Sequence, residues 1–409
     1  MRGEGEAMKR ADVTVVGAGP AGTATAILLA ERGLTVVLLD RAGFLRPKIC
    51  GEYLSPQAAR LLDRLGVLKD VDAVGAPPLR GMRLLAPDGT ALCGAYPTAG
   101  PWRGYRNHAM AIPREVLDRI LLDRARSLPV EVRERHRITG LIIEDDHVTG
   151  IEGADARGWP FAVRSRLVVG ADGRASVVAR VLGLVRPRRP ERLALIQDVQ
   201  GLDGFDQMSE IYIDPPDYSV LSPVAPGLVN LSLMVPLPHA RPFRNRLETF
   251  FHARLKQLRH LMPRLRGMRP QGRLVAMGPL AYRVMAPRHG GVLLSGDAAG
   301  VYDPFMSEGL HAALHSAELL VEVAHRALAG GDVSARALGA YADARRAATR
   351  DKEWISRTLR FIIARRPLAD RLARALARRP ALLDALMGVI GDFIPPRELL
   401  RWSTLRQLL

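Results

Sequence analysis

The sequence predicts an α/β protein in which a Rossmann-type dinucleotide-binding domain is interleaved with an antiparallel-sheet domain, with a helical region at the C-terminus. Three observations support this fold class. An apolar strand, a GxGxxG turn, an apolar helix and a second strand ending in an acid follow one another over residues 12–40. Short apolar runs divided by Gly, Pro and Asp turns fill residues 190–290. From residue 336 onwards, apolar side chains recur at helical spacing.

Length and composition exclude several classes of protein. The 409 residues, 48% of them apolar, allow two or three domains with substantial cores. Two cysteines, Cys50 and Cys93, cannot build a disulfide framework, and the sequence shows no Cys/His metal cluster. No run of about 18 apolar residues occurs, so we expect no membrane span. The start of the chain lacks the apolar region of a signal peptide, which predicts a cytoplasmic protein.

The net charge of +17 is concentrated near the C-terminus. From Arg336 to the end there are 16 basic and 7 acidic residues, so +9 of the excess lies in the last 74 positions. This local excess gives no reason to expect a nucleic-acid partner. Such an excess is most simply a solvated helical face, and the alternative is peripheral contact of the basic amphipathic helices with an anionic membrane surface or an acidic partner.

Each part of the first motif has a structural role. The motif reads DVTVVGAGPAGTATAILLAERGLTVVLLD. Gly17 permits a tight turn, Gly19 lets a pyrophosphate approach the backbone, and Gly22 lets the helix pack on the strand. The helix N-terminus offers unpaired N–H groups and a positive dipole end to phosphates. Asp40 can accept hydrogen bonds from a ribose, which favours FAD or NAD over NADP at this site.

Two further motifs follow in a diagnostic order. LVVGADGRAS covers Leu167–Ser176, and GVLLSGDAAG covers Gly291–Gly300 before a long helical pattern begins. Together with the first motif they resemble the FAD-dependent hydroxylase superfamily with the para-hydroxybenzoate hydroxylase fold. That superfamily also contains flavin halogenases and geranylgeranyl reductases. The resemblance covers most of residues 11–330.

The resemblance implies FAD as the cofactor and assigns roles to matching residues. Asp297 would bind the ribityl chain, and the helix starting near Ser307 would direct its N-terminus at the flavin pyrimidine ring. Asp172 belongs to the motif near the pyrophosphate, and Arg114 matches an arginine that contacts FAD. The expected cofactor-binding residues are Gly17, Ala18, Gly19, Pro20, Ala21, Gly22, Asp40, Arg41, Lys48, Cys50, Gly51, Arg114, Asp172, Gly296, Asp297, Pro304, Ser307, Glu308, Gly309 and Leu310.

The segment RPKICGEYLSP, residues 46–56, carries the candidate catalytic residue. Its Cys-Gly-Glu resembles the geranylgeranyl reductase branch, whose members hold a Cys-Gly pair beside the isoalloxazine ring. Cys50 would then modulate the flavin or protonate reduced substrate, and nearby Lys48 could shift the pKa of its thiol. A small buried residue packing beneath the cofactor is the alternative.

The middle of the chain predicts the substrate pocket. Prenyl reductases carry a Tyr-x-Trp-x-Phe-Pro signature, and the corresponding run here is YSVLSP, in which Val220 and Ser222 replace the aromatics. The signatures of tryptophan halogenases are missing. Core packing is the alternative for the pocket residues, since Met and Tyr at such spacings commonly fill cores. The predicted lining of a largely apolar pocket is Tyr212, Tyr218, Met234 and Tyr282.

The motifs and turns give the expected domain boundaries. The FAD-binding domain is discontinuous and comprises residues 1–76, 111–189 and 291–335. The substrate domain comprises residues 77–110 and 190–290, and the C-terminal helical region comprises residues 336–409.

The leading functional hypothesis is a monooxygenase that hydroxylates an apolar aromatic or polyketide-like small molecule through a flavin C4a-hydroperoxide. The alternative is geranylgeranyl reductase-like reduction of carbon–carbon double bonds in an isoprenoid or lipid, and flavin-dependent halogenation is a weaker third reading. No second GxGxxG motif is present, so NAD(P)H must bind transiently near FAD or a partner reductase must supply electrons. The sequence leaves the oligomeric state open.

Overall fold

A computed structural model describes residues 10–44, 51–186, 192–278, 280, 282–301 and 309–399. The predictions made for Lys48, Cys50, Pro304, Ser307 and Glu308 fall outside these described residues. The strands are β1 (Arg10–Val16), β2 (Val36–Leu39), β3 (Tyr53–Leu54), β4 (Gly81–Leu85), β5 (Ala91–Ala95), β6 (Met110–Ala111), β7 (Val130–Arg133), β8 (Arg137–Glu144), β9 (His147–Ala154), β10 (Pro160–Gly170), β11 (Val185–Arg186), β12 (Arg192–Gln200), β13 (Met208–Asp214), β14 (Asp217–Ala225), β15 (Leu228–Pro236), β16 (Arg269–Met277), β17 (Arg283–Val284) and β18 (Val292–Leu294). The helices are α1 (Pro20–Ala30), α2 (Ala58–Arg64), α3 (Leu68–Ala73), α4 (Arg114–Arg126), α5 (Val177–Val181), α6 (Leu237–Ala240), α7 (Leu247–Leu255), α8 (Leu261–Arg264), α9 (Gly309–Ala329), α10 (Ala335–Ile363), α11 (Arg366–Ala377), α12 (Pro380–Ile390) and α13 (Pro396–Leu399).

The first sheet has the order β7-β2-β1-β10-β9-β8, with β18 also paired to β10. Strands β7, β2, β1, β10 and β18 are mutually parallel, whereas β8 and β9 join antiparallel to the start of β10. β10 is long enough to pair β9 along its first half and β18 at its end. The parallel arrangement brings the carboxyl ends of β1, β2, β10 and β18, and hence the motifs that follow them, to one edge.

Helix α1 is buried along its whole length beneath this sheet. It is apolar on all faces because α4 and α9 pack against it from the sides not covered by strands. The helix ends at Ala30 and the chain reverses at Gly33, which adopts a φ of +80°. The predicted strand, helix and stop of the first motif are therefore confirmed.

The second sheet has the order β16-β12-β15-β14-β13-β4-β5. Its pairs are antiparallel, as the turn signals predict, except for the parallel pair of β13 with β4. Helices α7 and α8 cover one face of the sheet, where Phe251 and Leu261 are fully buried. The opposite face is turned toward the carboxyl edge of the first sheet.

The C-terminal helices join both sheets. α10 packs along α9, and α11 and α12 cover β5 at the edge of the second sheet. Two short ladders, β3 with β6 and β11 with β17, complete the described structure. Within the described ranges, no helix combines the length and apolar character that crossing a membrane requires.

Candidate functional site

A cavity of about 830 Å³ lies where the carboxyl edge of the first sheet faces the second sheet. Both sheets contribute to its wall, so residues predicted separately for cofactor and substrate share one space. The predicted residues that line the cavity are Gly17, Gly19, Pro20, Ala21, Asp40, Arg41, Gly51, Arg114, Asp172, Tyr218, Met234, Asp297, Gly309 and Leu310.

The glycine turn after β1 has no room for side chains. Gly17 adopts a φ of +101°, and its N–H donates to the Leu39 carbonyl oxygen at 2.7 Å. A Cβ atom at Gly17 would lie 2.5 Å from the Ala171 carbonyl oxygen. A Cβ atom at Gly22 would lie only 1.8 Å from the Gly17 carbonyl oxygen. Glycine at both positions therefore lets the turn close and present its backbone to the cavity.

The N-terminus of α1 opens onto the cavity beside an acid. Gly19 is the N-cap and supplies no side-chain hydrogen bond, so the first turn keeps donors for a ligand. Asp40 accepts the N–H of Ala18 at 2.8 Å through Oδ2 and the N–H of Ala42 at 2.9 Å through Oδ1. Each carboxylate oxygen can accept more than one hydrogen bond, so Asp40 can still receive a hydroxyl.

Asp172 carries a buried oxygen directed at the same wall. Its Oδ2 accepts the N–H of Val177 at 2.6 Å, whereas its Oδ1 has no hydrogen-bond partner among the described residues. Burial raises the pKa of the Asp172 carboxyl group. Because buried polar atoms in native proteins are almost always satisfied, this oxygen marks a position for a donor on a bound molecule.

Asp297 lies in a turn that the surrounding residues fix in place. Its Oδ2 is 3.8 Å from Nε of Arg174, and its carboxylate is partly exposed to the cavity. Gly296 packs closely against Ala21 of α1. A Cβ atom at position 296 would lie 2.7 Å from Cβ of Ala21, which leaves no room for a side chain. Tyr282 does not line the cavity, which corrects its predicted place in the pocket. Its hydroxyl donates instead to the Asp297 carbonyl oxygen, and burial raises the pKa of that hydroxyl.

Arg114 lines the cavity but is held by an ion pair. Its Nε and Nη2 donate to the two carboxylate oxygens of Asp118 at 2.9 and 2.8 Å, and both side chains are buried. The pair orients the guanidinium and offsets its charge. The predicted contact between Arg114 and FAD stays a prediction.

Together these groups fit FAD. The open helix N-terminus and the narrow glycine turn suit a pyrophosphate. Asp40 and Asp297 offer acceptors for ribose and ribityl hydroxyls, and Asp172, with its unpartnered oxygen, lines the same cavity. Across the described residues, no group of three or more His, Cys, Asp or Glu side chains is arranged to hold a metal ion.

The sequence analysis missed Glu52, the acid next to Gly51. Glu52 adopts a φ of +59°, lines the cavity and is 8% exposed. Its Oε1 accepts the N–H of Arg114 at 3.1 Å, and its buried Oε2 has no partner among the described residues. Burial, with a contribution from the charge of Asp198, raises the pKa of Glu52 to about 8. The sequence signal was its place in the Cys-Gly-Glu motif, where attention went to Cys50, and the burial of Glu52 cannot be read from that motif.

The second sheet forms the floor of the cavity, and one row of its side chains is polar. Ser209 and Ser222 lie side by side on β13 and β14, with their Oγ atoms 3.2 Å apart. Asn230 on β15 pairs with Ser222 and donates from Nδ2 to Oδ1 of Asp198 on β12 at 3.2 Å. Ser232 donates to Oδ1 of Asn230 at 2.8 Å. We call Ser209, Ser222, Asn230 and Asp198 the polar row.

Away from the polar row, the floor becomes apolar. The next row holds Ile196, Ser232, Val220 and Ile211, and the one beyond holds Ala194, Met234, Tyr218 and Ile213. Val220 and Ser222, which stand where prenyl reductases carry aromatics, both line the cavity. The floor therefore changes from polar to apolar along the strands.

Tyr212 is not part of this floor, and its predicted place in the pocket is wrong. It pairs with Ser219, whereas its neighbour Ile211 pairs with Val220 and lines the cavity. Successive side chains on a strand point to opposite faces, so Tyr212 packs with the cluster under α7 and α8. There its hydroxyl donates to Oε2 of Glu210 at 2.9 Å.

Comparisons with known proteins agree with this site. A family model described as FAD binding domain matches residues 10–353. The digeranylgeranylglycerophospholipid reductase of Methanosarcina mazei is 30% identical over 337 residues, which cover 79% of this chain and 77% of that protein.

Two solved structures show the same fold over nearly the whole chain. A flavin-dependent brominase aligns with a TM-score of 0.83 and 21% identity, covering 98% of this chain and 97% of that one. A geranylgeranyl bacteriochlorophyll reductase-like protein from Thermoplasma acidophilum aligns with a TM-score of 0.74 and 20% identity, covering 98% and 96%. Because the family model spans most of the chain and its cofactor motifs meet in one cavity, the protein belongs to the FAD binding domain family and is an FAD-dependent oxidoreductase of the geranylgeranyl reductase-like branch.

Proposed function

We propose that the protein reduces carbon–carbon double bonds in an isoprenoid lipid. The observation that carries the proposal is the floor that changes from the polar row to apolar side chains inside the FAD cavity. An isoprenoid chain attached to a polar head has the same asymmetry. The reductase from Methanosarcina mazei supports this substrate class over hydroxylation, which was the leading expectation from sequence.

The residues of this chain would bind and shield such a substrate. FAD supplies a hydride when it is reduced, and Gly17, Asp40 and Asp297 would hold it at the carboxyl edge of the first sheet. Met234, Tyr218 and Ile196 would contact the isoprenoid chain and exclude water from the reacting carbons. The polar row would hydrogen-bond the oxygen-bearing end, because buried hydroxyl and amide groups are satisfied only by polar partners.

The electron donor is proposed to be NAD(P)H, bound transiently at the open side of the same cavity, with a partner reductase as the alternative source. The support is that FAD must be reduced before each turnover, while the sequence has one GxGxxG motif and that motif serves FAD. Mixing the oxidised protein anaerobically with NADH or NADPH tests this directly. Rapid bleaching of the flavin absorbance supports a bound nicotinamide, and its absence with both supports a partner reductase.

We further propose that the C-terminal region touches an anionic membrane surface, where a lipid substrate would be found. Trp354 and Phe361 are 51% and 53% exposed on α10, seven residues apart and so near one face, and Leu368 on α11 is 37% exposed. Arg357 and Arg365 flank them. Exposed aromatics beside arginines match the apolar boundary and negative headgroups of a bilayer.

The test of the reaction uses the FAD-loaded protein reduced under anaerobic conditions and mixed with digeranylgeranylglycerophospholipid. Mass spectrometry should show the gain of two hydrogen atoms per double bond, while the fully saturated lipid stays unchanged. The same protein, reduced and exposed to air with a phenolic ligand, should add no oxygen to that ligand. Oxygen addition without alkene reduction would overturn the proposal in favour of hydroxylation, and halide incorporation would overturn it in favour of halogenation.

A further inference from the structure

Glu52 lines the cavity between Gly51 and Tyr53, and one of its carboxyl oxygens is buried without a hydrogen-bond partner among the described residues. Oε1 is held by the N–H of Arg114 at 3.1 Å, which fixes the orientation of the carboxyl group. The backbone of Glu52 is fixed as well, since its carbonyl oxygen accepts the N–H of Ile112 at 3.0 Å. Oε2 is the buried oxygen that has no partner among the described residues, and a bound molecule would have to supply one.

Burial favours the neutral form of Glu52, against the backbone N–H and the charge of Arg114, which favour the ionised form. The nearest guanidinium, that of Arg114, is already paired with Asp118. The other acids that act on Glu52 are Asp198, half-buried at the end of the polar row, and Glu115, exposed on the first turn of α4. Both repel a negative charge, and burial removes water from it, so the pKa of Glu52 rises to about 8. A pKa raised this far favours the protonated carboxyl group at neutral pH.

We propose that Glu52 is the general acid of the alkene reduction. This inference rests on the proposed function. Reduction of a carbon–carbon double bond needs one hydride and one proton: one carbon accepts the hydride from reduced FAD, and the other accepts the proton from Glu52 Oε2. The π bond breaks, two C–H bonds form, FAD is oxidised, and Glu52 is left as a carboxylate that water reprotonates when product leaves.

The position of Glu52 suits this step better than the positions of two other acids of the cavity, Asp40 and Asp297. Asp40 has both carboxylate oxygens engaged by backbone N–H groups, and Asp297 lies among the groups that would bind the ribityl chain. Glu52 lines the wall between Gly51 and Tyr53 and lies close enough to the floor for the charge of Asp198 to act on it. A general acid is most effective when its pKa lies near the working pH, which the surroundings of Glu52 provide.

The test compares Glu52→Gln with Glu115→Gln, which removes a neighbouring exposed carboxylate of the same size. Glu52→Gln should lower the single-turnover rate of alkene reduction on the order of 100-fold. FAD affinity and flavin reduction by the electron donor should stay within about twofold. The wild-type rate should fall as the pH rises through about 8, and the variant should lose this dependence. Glu115→Gln should keep the rate and the fall in rate at high pH, with only a small downward shift of the midpoint, because Glu115 is the weakest of the causes that act on the pKa of Glu52.

A second readout does not depend on turnover. Infrared spectroscopy of the wild-type protein at pH 7 should show the C=O band of a protonated carboxylic acid, absent from Glu52→Gln and present in Glu115→Gln. Should Glu52→Gln fail to fold, Glu52→Asp replaces it, with a lower rate and a retained pH dependence expected. Full activity of Glu52→Gln, or absence of the band in wild type, overturns the role of Glu52 and leaves the proposed function standing. A wild-type protein that reduces no alkene overturns the proposed function instead.

Discussion

His311 and Asp392 lie 3.1 Å apart, Nδ1 to Oδ1, and join the first turn of α9 to the loop after α12. The same carboxylate oxygen accepts a hydrogen bond from Nζ of Lys352 on α10, and the Asp392 side chain is 4% exposed. The cluster thus ties the C-terminal region to the helix whose N-terminus lines the cavity. Burial alone would raise the pKa of Asp392, but the charges of His311 and Lys352 outweigh it and lower that pKa.

Replacing Asp392 with Asn should destabilise the protein by about 3–5 kcal/mol, because it removes the buried negative charge that His311 and Lys352 contact. Chemical denaturation at pH 7 measures this. The wild-type contribution should be present above the ordinary pKa of 3.8 and be lost as the pH falls below it, because the folded-state pKa is lowered. Glu353→Gln, which breaks the exposed pair with Arg357, should change stability by less than about 1 kcal/mol. Equal effects of the two variants would contradict the prediction.

The stability that Glu52 contributes should change with pH in the direction opposite to the contribution of Asp392. Its folded-state pKa of about 8 lies above the ordinary value of 4.5, so the folded state binds the proton more tightly than the unfolded state does. The resulting stabilisation is complete below pH 4.5 and is lost as the pH rises through about 8. Between pH 5 and pH 9, wild type should lose on the order of 4 kcal/mol relative to Glu52→Gln. Parallel stability curves for the two proteins would show that Glu52 is not buried as described.

Gly22→Ala should weaken FAD binding by at least about tenfold, because its Cβ would lie 1.8 Å from the Gly17 carbonyl oxygen and the turn would have to open. Fluorescence titration of the apoprotein with FAD measures the affinity. Gly339→Ala, where nothing lies within 4 Å of the added Cβ, is the matched control in α10. It should leave FAD affinity unchanged and raise helix stability by up to about 1 kcal/mol. Unchanged FAD affinity in Gly22→Ala would contradict the role of the turn.

Asn230→Ala should raise KM for a lipid with a polar head by roughly tenfold, because the polar row loses its central hydrogen bonds. KM for a head-free isoprenoid hydrocarbon should change little, so the ratio of the two values is the informative measurement. Tyr212→Phe removes a hydroxyl from the opposite face of the same sheet and should leave both values unchanged. An equal rise for both substrates in Asn230→Ala would indicate a general packing defect instead.

Trp354→Ala combined with Phe361→Ala should reduce binding to anionic phospholipid vesicles roughly tenfold or more, since two half-exposed aromatics no longer enter the bilayer boundary. Binding of the parent protein should also weaken at high salt, because the arginines contribute through screened charges. Trp159→Ala, which removes a 67% exposed tryptophan from the turn between β9 and β10, is the control. If the parent protein binds no vesicles, membrane contact is contradicted and this face is a solvated surface.

Local sequence determined the cofactor half of the site. Gly17, Gly22 and Asp40 lie within one strand-turn-helix-strand unit, where spacing alone dictates which atoms meet. Asp172 and Asp297 follow parallel strands, and carboxyl ends of parallel strands share one edge, so their convergence was predictable before any coordinates. The helical character of the C-terminal region was predictable for a similar reason, since amphipathic spacing is a local property.

Tertiary structure alone decided the substrate half. Whether Tyr212 or Ile211 faces the cavity depends on strand register, and a shift of one residue exchanges the two faces. The polar row exists because the register of four consecutive strands, β12 to β15, aligns Ser209, Ser222, Asn230 and Asp198 side by side. Glu52 acquires its raised pKa from burial and from Asp198, a residue 146 positions away. Neither register nor burial is encoded in a local sequence pattern. The motifs were therefore sufficient to identify the cofactor, whereas the substrate side of the cavity, on which the proposed reaction depends, was defined by the packing of the two sheets.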